Sequence, residues 1–350
     1  MADTLSNKRL HPGKLPPDLL KRFLSELGIP EKRVLLGPNV GEDSAFISFG
    51  SSTLIAKSDP ITFATDRIGW YAIQVNANDI AASGGTPKWF LGTLLLPEGE
   101  TASKARDIFQ QMYEAANELG VTIIGGHTEV TIGLPRPIIV GTMLGEAAPS
   151  ETVKTSSAKP GDDVILTSGI AIEGTAILAR ESKTELLAAG ISANEIKRAA
   201  DLLDTPGISV VKPARIATST GQITAMHDPT EGGLAGAIYE LAEASGTGVI
   251  IDEDQVLIHP ETRTICQALA IEPWGLIASG SLIITTNPNG SSKVIRALRK
   301  EGIQANVIGK ITNQKEGLRR TIKGEIQSFP KFERDEIARY FETLTHQKDS

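Results

Sequence analysis

Residues 226–246, MHDPTEGGLAGAIYELAEASG, decide how the chain is read. The apolar positions Leu234, Ala237, Ile238 and Leu241 repeat with helical spacing, Asp228 or Thr230 can cap the start, and Pro229 suits a helix beginning. Two glycines on the first turn run against this, since glycine costs a helix interior about 1 kcal/mol relative to alanine. Gly232 and Gly233 therefore serve either to bare first-turn amides for an anion such as phosphate, or to let another backbone pack closely. Both readings stand on these residues alone.

The same elements recur outward from this stretch. LPPDLLKRFLSELG carries Leu19, Leu20, Phe23, Leu24 and Leu27 on one helical side. DSAFISFG and STLIAKSDPITFA read as strands, GWYAIQVNANDIAAS as a helix and WFLGTLLL as a buried strand. TASKARDIFQQMYEAANELG is a helix stopped by Gly120, with VTIIGG and RPIIVGTMLG as strands after it. A polar, proline-containing connection at about 148 to 163 changes the composition. Beyond it strands and helices alternate again, with a capping box predicted from Ser192 and Glu195. Sheets covered by helices in both halves give an α+β class. The expected domains are 1–148, 160–325 and a helical extension over 326–350, where FERDEIARYFETL packs on its parent domain or on a partner.

Composition excludes several classes. With 350 residues, 40% hydrophobic and 22% charged, the chain can bury a large core. A net charge of -7 without basic blocks, and only 5% aromatic residues, argue against nucleic acid or an anionic membrane as partner. The lone Cys266 excludes an internal disulfide and a cysteine-built zinc site, and a core position in ETRTICQALA is expected for it. No stretch approaches the roughly 20 apolar residues of a membrane span, and the polar beginning lacks a signal core, so a cytoplasmic protein is expected.

Chemistry is carried by carboxylates and glycines. Asp43 in GPNVGEDSAFI, Asp59 in IAKSDPITFA, Asp79 in VNANDIAASGG, Glu129 in IIGGHTEV and Asp228 sit in small or structured surroundings at element edges. If such carboxylates converge they need a cation, and Mg²⁺ is seldom caged by protein alone but shared with phosphates. Each Asp taken singly serves equally well as a cap or turn residue. Gly125 and Gly126, after VTII, offer backbone amides to phosphate, although neither a P-loop nor a GxGxxG fingerprint occurs. His127 and His227 both stand at breaks and could donate to phosphate or move a proton. Lys57 lies within reach of a phosphoryl oxygen or of an ion-pair partner, and TSGIAIEGTA, residues 167–176, is a candidate substrate cradle.

The ordered set GEDSA, KSDPIT, VNANDIAASGGTP, GGHTEV and MHDPTEGGL resembles the aminoimidazole ribonucleotide synthetase (PurM-like) superfamily over roughly residues 13 to 325. That group includes selenophosphate synthetase, thiamine-monophosphate kinase and the hydrogenase maturation protein HypE, which residues 226–246 resemble most. The resemblance implies a two-domain fold whose amino-terminal half dimerises through a β-barrel-like interface, with ATP and Mg²⁺ bound in a cleft closed by the second domain. It places metal or nucleotide roles on Asp43, Asp59 and Asp79, with Asn78 in the family's Asn-Asp motif. Gly125 and Gly126 become phosphate-side backbone and His127 a polar contact where relatives carry an acid, which makes Glu129 a substitute ligand. Asp228, Thr230, Gly232 and Gly233 shape the second-domain side. The chain ends YFETLTHQKDS where HypE has a cysteine-bearing tail, so carbamoyl dehydration on a terminal thiol is not expected. The implied reaction is ATP-dependent activation or phosphorylation of an oxygen-bearing small substrate. A nonenzymatic, nucleotide-responsive assembly factor that binds a protein partner is the alternative.

Overall fold

The computed structural model describes residues 14–27, 31–62 and 66–348, with side chains described to residue 344. Six strands form the first sheet: β1 (Val34–Leu36), β2 (Ala45–Phe49), β3 (Ser52–Ile61), β4 (Thr86–Pro97), β5 (Thr122–Thr131) and β6 (Ile138–Ala147). Their order is β1-β2-β3-β6-β4-β5, with β4 and β5 parallel and the other pairs antiparallel. The helices of this half are α1 (Pro17–Ser25), α2 (Ile68–Ala82) and α3 (Ala102–Leu119). Gly120 ends α3 in the left-handed conformation, as its position in the sequence leads one to expect.

α2 positions the site. All of its residues except Trp70 are buried, because it lies between the first sheet, α3 and a helix of the second half. A helix apolar all round is a buried helix, but this one also buries Gln74, Asn76, Asn78 and Asp79. Such polar groups must find partners or cost stability. Asn76 accepts from the Asp59 amide at 3.0 Å and donates to the Asp59 carbonyl at 3.3 Å, which pins β3 to α2 at Asp59.

The second sheet holds β7 (Asp163–Thr167), β8 (Ile223–His227), β9 (Thr247–Asp252), β10 (Ile283–Thr286), β11 (Ala305–Asn313), β12 (Leu318–Ile322) and β13 (Glu325–Ser328). It runs β13-β12-β9-β11-β7-β10-β8, parallel only between β12 and β9. Its helices are α4 (Ile172–Glu181), α5 (Lys183–Ala188), α6 (Ala193–Asp201), α7 (Val211–Ser219), α8 (Gly233–Ser245), α9 (Pro260–Ala268), α10 (Pro288–Lys300) and α11 (Glu336–Lys348). The capping box at Ser192 and Glu195 opens α6. α4 and α5 divide at Ser182. The carboxy-terminal helix packs on its own chain: Ile337 and Tyr340 join the core that also holds Ile172, Ile196 and Ile265. Cys266 is buried in that same core. Among the described residues no helix is long and apolar enough to cross a membrane.

Candidate active site

Two neighbouring cavities open between the halves, of ≈ 550 Å³ and ≈ 390 Å³, and they share Lys14, Thr230 and Glu231. Asp43, Lys57, Asp79, His227 and Asp228 line the larger one and Asp59 the smaller. Asp43 comes from the loop before β2, Asp59 from β3, Asp79 from α2 and Asp228 from the turn after β8. The carboxylates predicted from separate stretches thus meet at one place.

A close approach makes this possible. Gly41, at φ +82, presses the loop onto α8 so tightly that a Cβ there would lie 2.4 Å from the Glu240 carbonyl oxygen. Asp43 is thereby carried to His227, with Oδ1 2.5 Å from Nδ1. The other ring nitrogen, Nε2, lies 3.0 Å from Glu240 Oε2. Burial opposes charge on this ring, but the two carboxylates outweigh it and hold the imidazole pKa well above its ordinary value. Both nitrogens therefore donate, and a doubly donating imidazolium has no lone pair for a metal. Although Asp43, His227 and Asp228 offer atoms within 4.8 Å of one another, His227 acts there as a fixed cation. Glu240 also accepts from Lys14 at 2.9 Å. Burial would raise the Glu240 carboxyl, but Lys14 and His227 overcome it and hold the pKa far below the usual range.

On the first-domain side Lys57 Nζ lies 2.9 Å from Asp79 Oδ1 and 3.4 Å from Asp59 Oδ2. Burial disfavours the Lys57 charge, yet Asp79 and Asp59 keep its pKa well above normal. Asp79 is nevertheless pushed well above the usual carboxylate range, by burial first and then, against Lys57, by Asp228, Asp59 and Asp43. Asp228 is raised to about 8, by burial and by Asp43, with His227 and Lys57 acting the other way. Asp79 Oδ2 and both Asp228 oxygens are buried without a hydrogen-bond partner among the described residues. Orphaned buried carboxylate oxygens are costly unless something outside the chain completes them. Three such oxygens facing one cleft suit a hard cation with oxygen ligands.

Other expected residues are placed differently. The amide of Asn78 is spent on the second half, donating to Ile208 O at 2.7 Å and accepting from Val210 N at 2.8 Å. It is an interdomain clamp, which corrects its expected nucleotide role. β5 continues through Gly125 and Gly126, with a register shift against β4 at Ile124 rather than the end of the strand inferred from the glycine pair. Gly126, at φ +150, is needed because a Cβ would lie 2.0 Å from Gly92 O on β4. Gly125, Gly126, His127 and Glu129 line neither cavity and stand on the exposed edge strand. There His127 Nε2 pairs with Glu129 at 3.1 Å, and Thr131 donates to the same carboxylate. This chain alone does not bring them to the carboxylate cluster.

The question set by Gly232 and Gly233 also resolves. Gly232 N donates to Asp335 Oδ2 at 2.6 Å, so a carboxylate from the segment before α11 already occupies the start of α8. Gly233, at φ +62, leaves no room for a side chain, since a Cβ would come within 2.6 Å of Trp274 O. An anion held by bare backbone and a close backbone approach are both present, but the anion belongs to the protein. The expectation that this pair cradles phosphate is corrected accordingly. Thr230 does reach the cleft, accepting from Lys14 Nζ at 3.3 Å. Lys14, Glu240 and Asp335 went unselected in the sequence; for Glu240 the signal was Gly233 and Gly236, small residues on the same helical side.

The fold, the interdomain cleft and the acidic cluster define a class. Residues 41–147 match the model of "AIR synthase related protein, N-terminal domain" and residues 159–320 that of the C-terminal domain, so the chain belongs to the AIR synthase-related family. Within it the chain is similar to carbamoyl dehydratase HypE of Rhizobium leguminosarum bv. viciae, 27% identical over 280 residues and covering 77% of each. The HypE of Rhodobacter capsulatus is 26% identical over 313 residues, covering 87% of this chain and 88% of that protein. Among solved structures, HypE in complex with ATP has a TM-score of 0.69 at 21% identity, with 91% of both chains covered. A HypE–HypF complex has a TM-score of 0.69 at 24% identity, covering 84% of this chain and 94% of the other.

Proposed function

We propose that the chain is an ATP-using enzyme that activates or phosphorylates an oxygen-bearing small substrate in the interdomain cleft, with Mg²⁺ held by Asp43, Asp79 and Asp228 and approached by Asp59. The observation that carries this reading is the set of three orphaned, buried carboxylate oxygens on Asp79 and Asp228 beside Lys57. HypE, the relative reported above, has been seen with ATP, which supports the choice of nucleotide.

Charge supports the choice of metal. Once Asp79 and Asp228 give up their protons, the carboxylates of Asp43, Asp59, Asp79, Asp228 and Glu240 outnumber the cations Lys14, Lys57 and His227 that they face, an excess of negative charge that a divalent ion would offset. When bound, Mg²⁺ would offset the triphosphate charge and polarise the transferred phosphoryl group. The protein supplies the positions. Lys57, free to exchange a carboxylate for a phosphoryl oxygen, would follow the charge as it shifts toward the leaving ADP, and His227 would hold Asp43 in one orientation through its second bond to Glu240. Transfer joins the γ-phosphorus to a substrate oxygen and breaks its bond to the β-γ bridging oxygen, which departs with ADP. An oxygen phosphorylated in this way then leaves as phosphate, where hydroxide would not.

A homodimer is part of the proposal. Ile124 and Val130 on β5 and Ile132 just after it, with Phe109 and Tyr113 on α3, are exposed apolar side chains beside an open strand edge, and such patches mark association surfaces. Pairing there would carry His127 and Glu129 into the contact between copies.

Calorimetric titration of ATP with and without Mg²⁺ tests the reading. Asp79→Asn and Asp59→Asn should weaken Mg²⁺-dependent binding while the fold and oligomeric state persist. Unchanged affinity in both variants, or after chelation of the metal, would overturn it. Tight binding without any product from candidate acceptors would favour the assembly-factor alternative.

A further inference from the structure

The smaller cavity, of ≈ 390 Å³, is not explained by nucleotide or metal. Its walls include the apolar Ile61, Val75 and Ile277, and its charged groups are Asp59, Glu173, Glu231 and Lys14. Lys14 is already committed to Glu240 and Thr230. Lys57 meets Asp59 at 3.4 Å, so the carboxylate of this cavity left with no cation beside it is Glu173.

Glu173 is the unusual member. It lies in the first turn of α4 and is only 4% exposed. Its turn is locked against the opposite wall, since Gly174 N donates to Ile277 O at 3.0 Å and a Cβ on Gly174 would lie 2.4 Å from Leu276 Cγ. Ser279 hydrogen-bonds the carboxylate through both side chain and backbone. Oε2 has no partner among the described residues. An acid near a helix start gains from the helix dipole, but that gain needs neither burial nor an orphaned oxygen aimed at a cavity. A buried carboxylate in this state lacks a counter-charge.

We propose that this cavity is the acceptor subsite and receives a small protonated nitrogen group, an ammonium or amidinium, with Glu173 Oε2 as its partner and Asp59 and Glu231 adding to the negative field. The apolar wall would cover the carbon part of the same molecule, and Thr230 and Glu231, common to both cavities, would lie between acceptor and nucleotide. Calling the occupant an acceptor rests on the proposed function; the presence of a cation site does not.

The test uses the full chain at pH 8 without nucleotide or metal, so its failure is distinguishable from a failure of Mg²⁺-ATP binding. Saturation-transfer NMR titrations would compare acetamidinium with acetamide, its neutral isostere, and with acetate. A charge-assisted bond in a buried site predicts that acetamidinium binds at least about ten-fold more tightly than acetamide. In Glu173→Gln, which keeps the side-chain shape, that preference should fall to about one-fold, given that the hydrogen bond remains but the charge does not. Ser279→Ala, which removes the side-chain bond to the carboxylate and leaves the backbone one, should reduce it partially. Wild-type protein that fails to prefer acetamidinium, or that prefers acetate, overturns the proposal without any variant. An undiminished preference in folded Glu173→Gln does so as well.

Discussion

Replacing Asp228 by asparagine should stabilise the metal-free protein and cripple its loading. Burial and Asp43 raise this carboxyl from 3.8 to about 8. An acid whose folded-state pKa is raised keeps its proton in the folded state while the unfolded chain releases it, so stability falls as pH rises from about 4 to about 8. At about 1.36 kcal/mol per unit, the penalty reaches about 4 kcal/mol at pH 7 and between about 5 and 6 above pH 8. Asp228→Asn removes that slope, and it also relieves Asp79, whose carboxyl is raised partly by Asp228. Chemical denaturation in EDTA from pH 4 to pH 8.5 should show the variant gaining on wild type as pH rises, with the two converging near pH 4. Magnesium-ATP should then reverse the order, because a ligand present at about 100 times its Kd stabilises the state that binds it by about 2.7 kcal/mol. Loading of wild type near pH 7 should also release protons, about one of them from Asp228, since metal displaces protons from its ligands. Titrations in buffers of different ionisation enthalpy count them, and Asp228→Asn should release about one fewer. A variant less stable than wild type in EDTA at pH 8, or metal loading of wild type with no proton release, would refute the reasoning.

Three further outcomes follow from the packing. Cys266→Ser should keep any nucleotide turnover in an activity assay, because the thiol is buried in the core, far up the titration scale at about 12, and lines neither cavity; complete loss in a folded variant would contradict this. Gly233→Ala should cost at least about 3 kcal/mol by denaturation, adding a backbone clash to a positive φ, whereas Gly221→Ala, at φ +65 with open space around it, should cost about 1 kcal/mol. Asn78→Ala should cost about 2 to 4 kcal/mol, because it leaves Val210 N and Ile208 O unpaired; a loss of ATP affinity without loss of stability would instead restore the expected nucleotide role.

Periodicity made most of the fold legible, because each helix and strand repeats its apolar side chains against one or two neighbours. It failed where a residue serves a distant backbone. Gly125 and Gly126 read as the end of a strand, yet β5 continues, and Gly126 is set by the closeness of Gly92 on another strand. The Asn-Asp pair read as one functional unit, yet adjacent helical positions do not share a face. Asn78 turns to the backbone at 208–210 while Asp79 turns to Lys57. Asn76, two positions earlier, does the work of holding Asp59, and nothing in its local sequence sets it apart.

The acidic members of the site were legible by residue type, but their charge balance was not, because it depends on which cations the fold delivers. His227 and His127 both stand at breaks in the sequence, but only His127 has a place in the expected site. The fold separates them: the exposed His127 pairs with a neighbour on its own strand, while His227 is buried between Asp43 and Glu240. A ring so placed cannot accept a metal bond, but it holds the Asp43 side chain in place beside Asp228. The cluster consequently holds two kinds of carboxylate. Asp43 and Glu240 have permanent partners; Asp79 and Asp228 keep oxygens with none. A site meant only for stability would have paired them all, since an unpaired buried charge costs several kcal/mol. The unpaired oxygens of Asp79 and Asp228 instead line the same cavity as Lys57, which bridges Asp59 and Asp79, and that is where an exchangeable cation and its phosphate would have to enter.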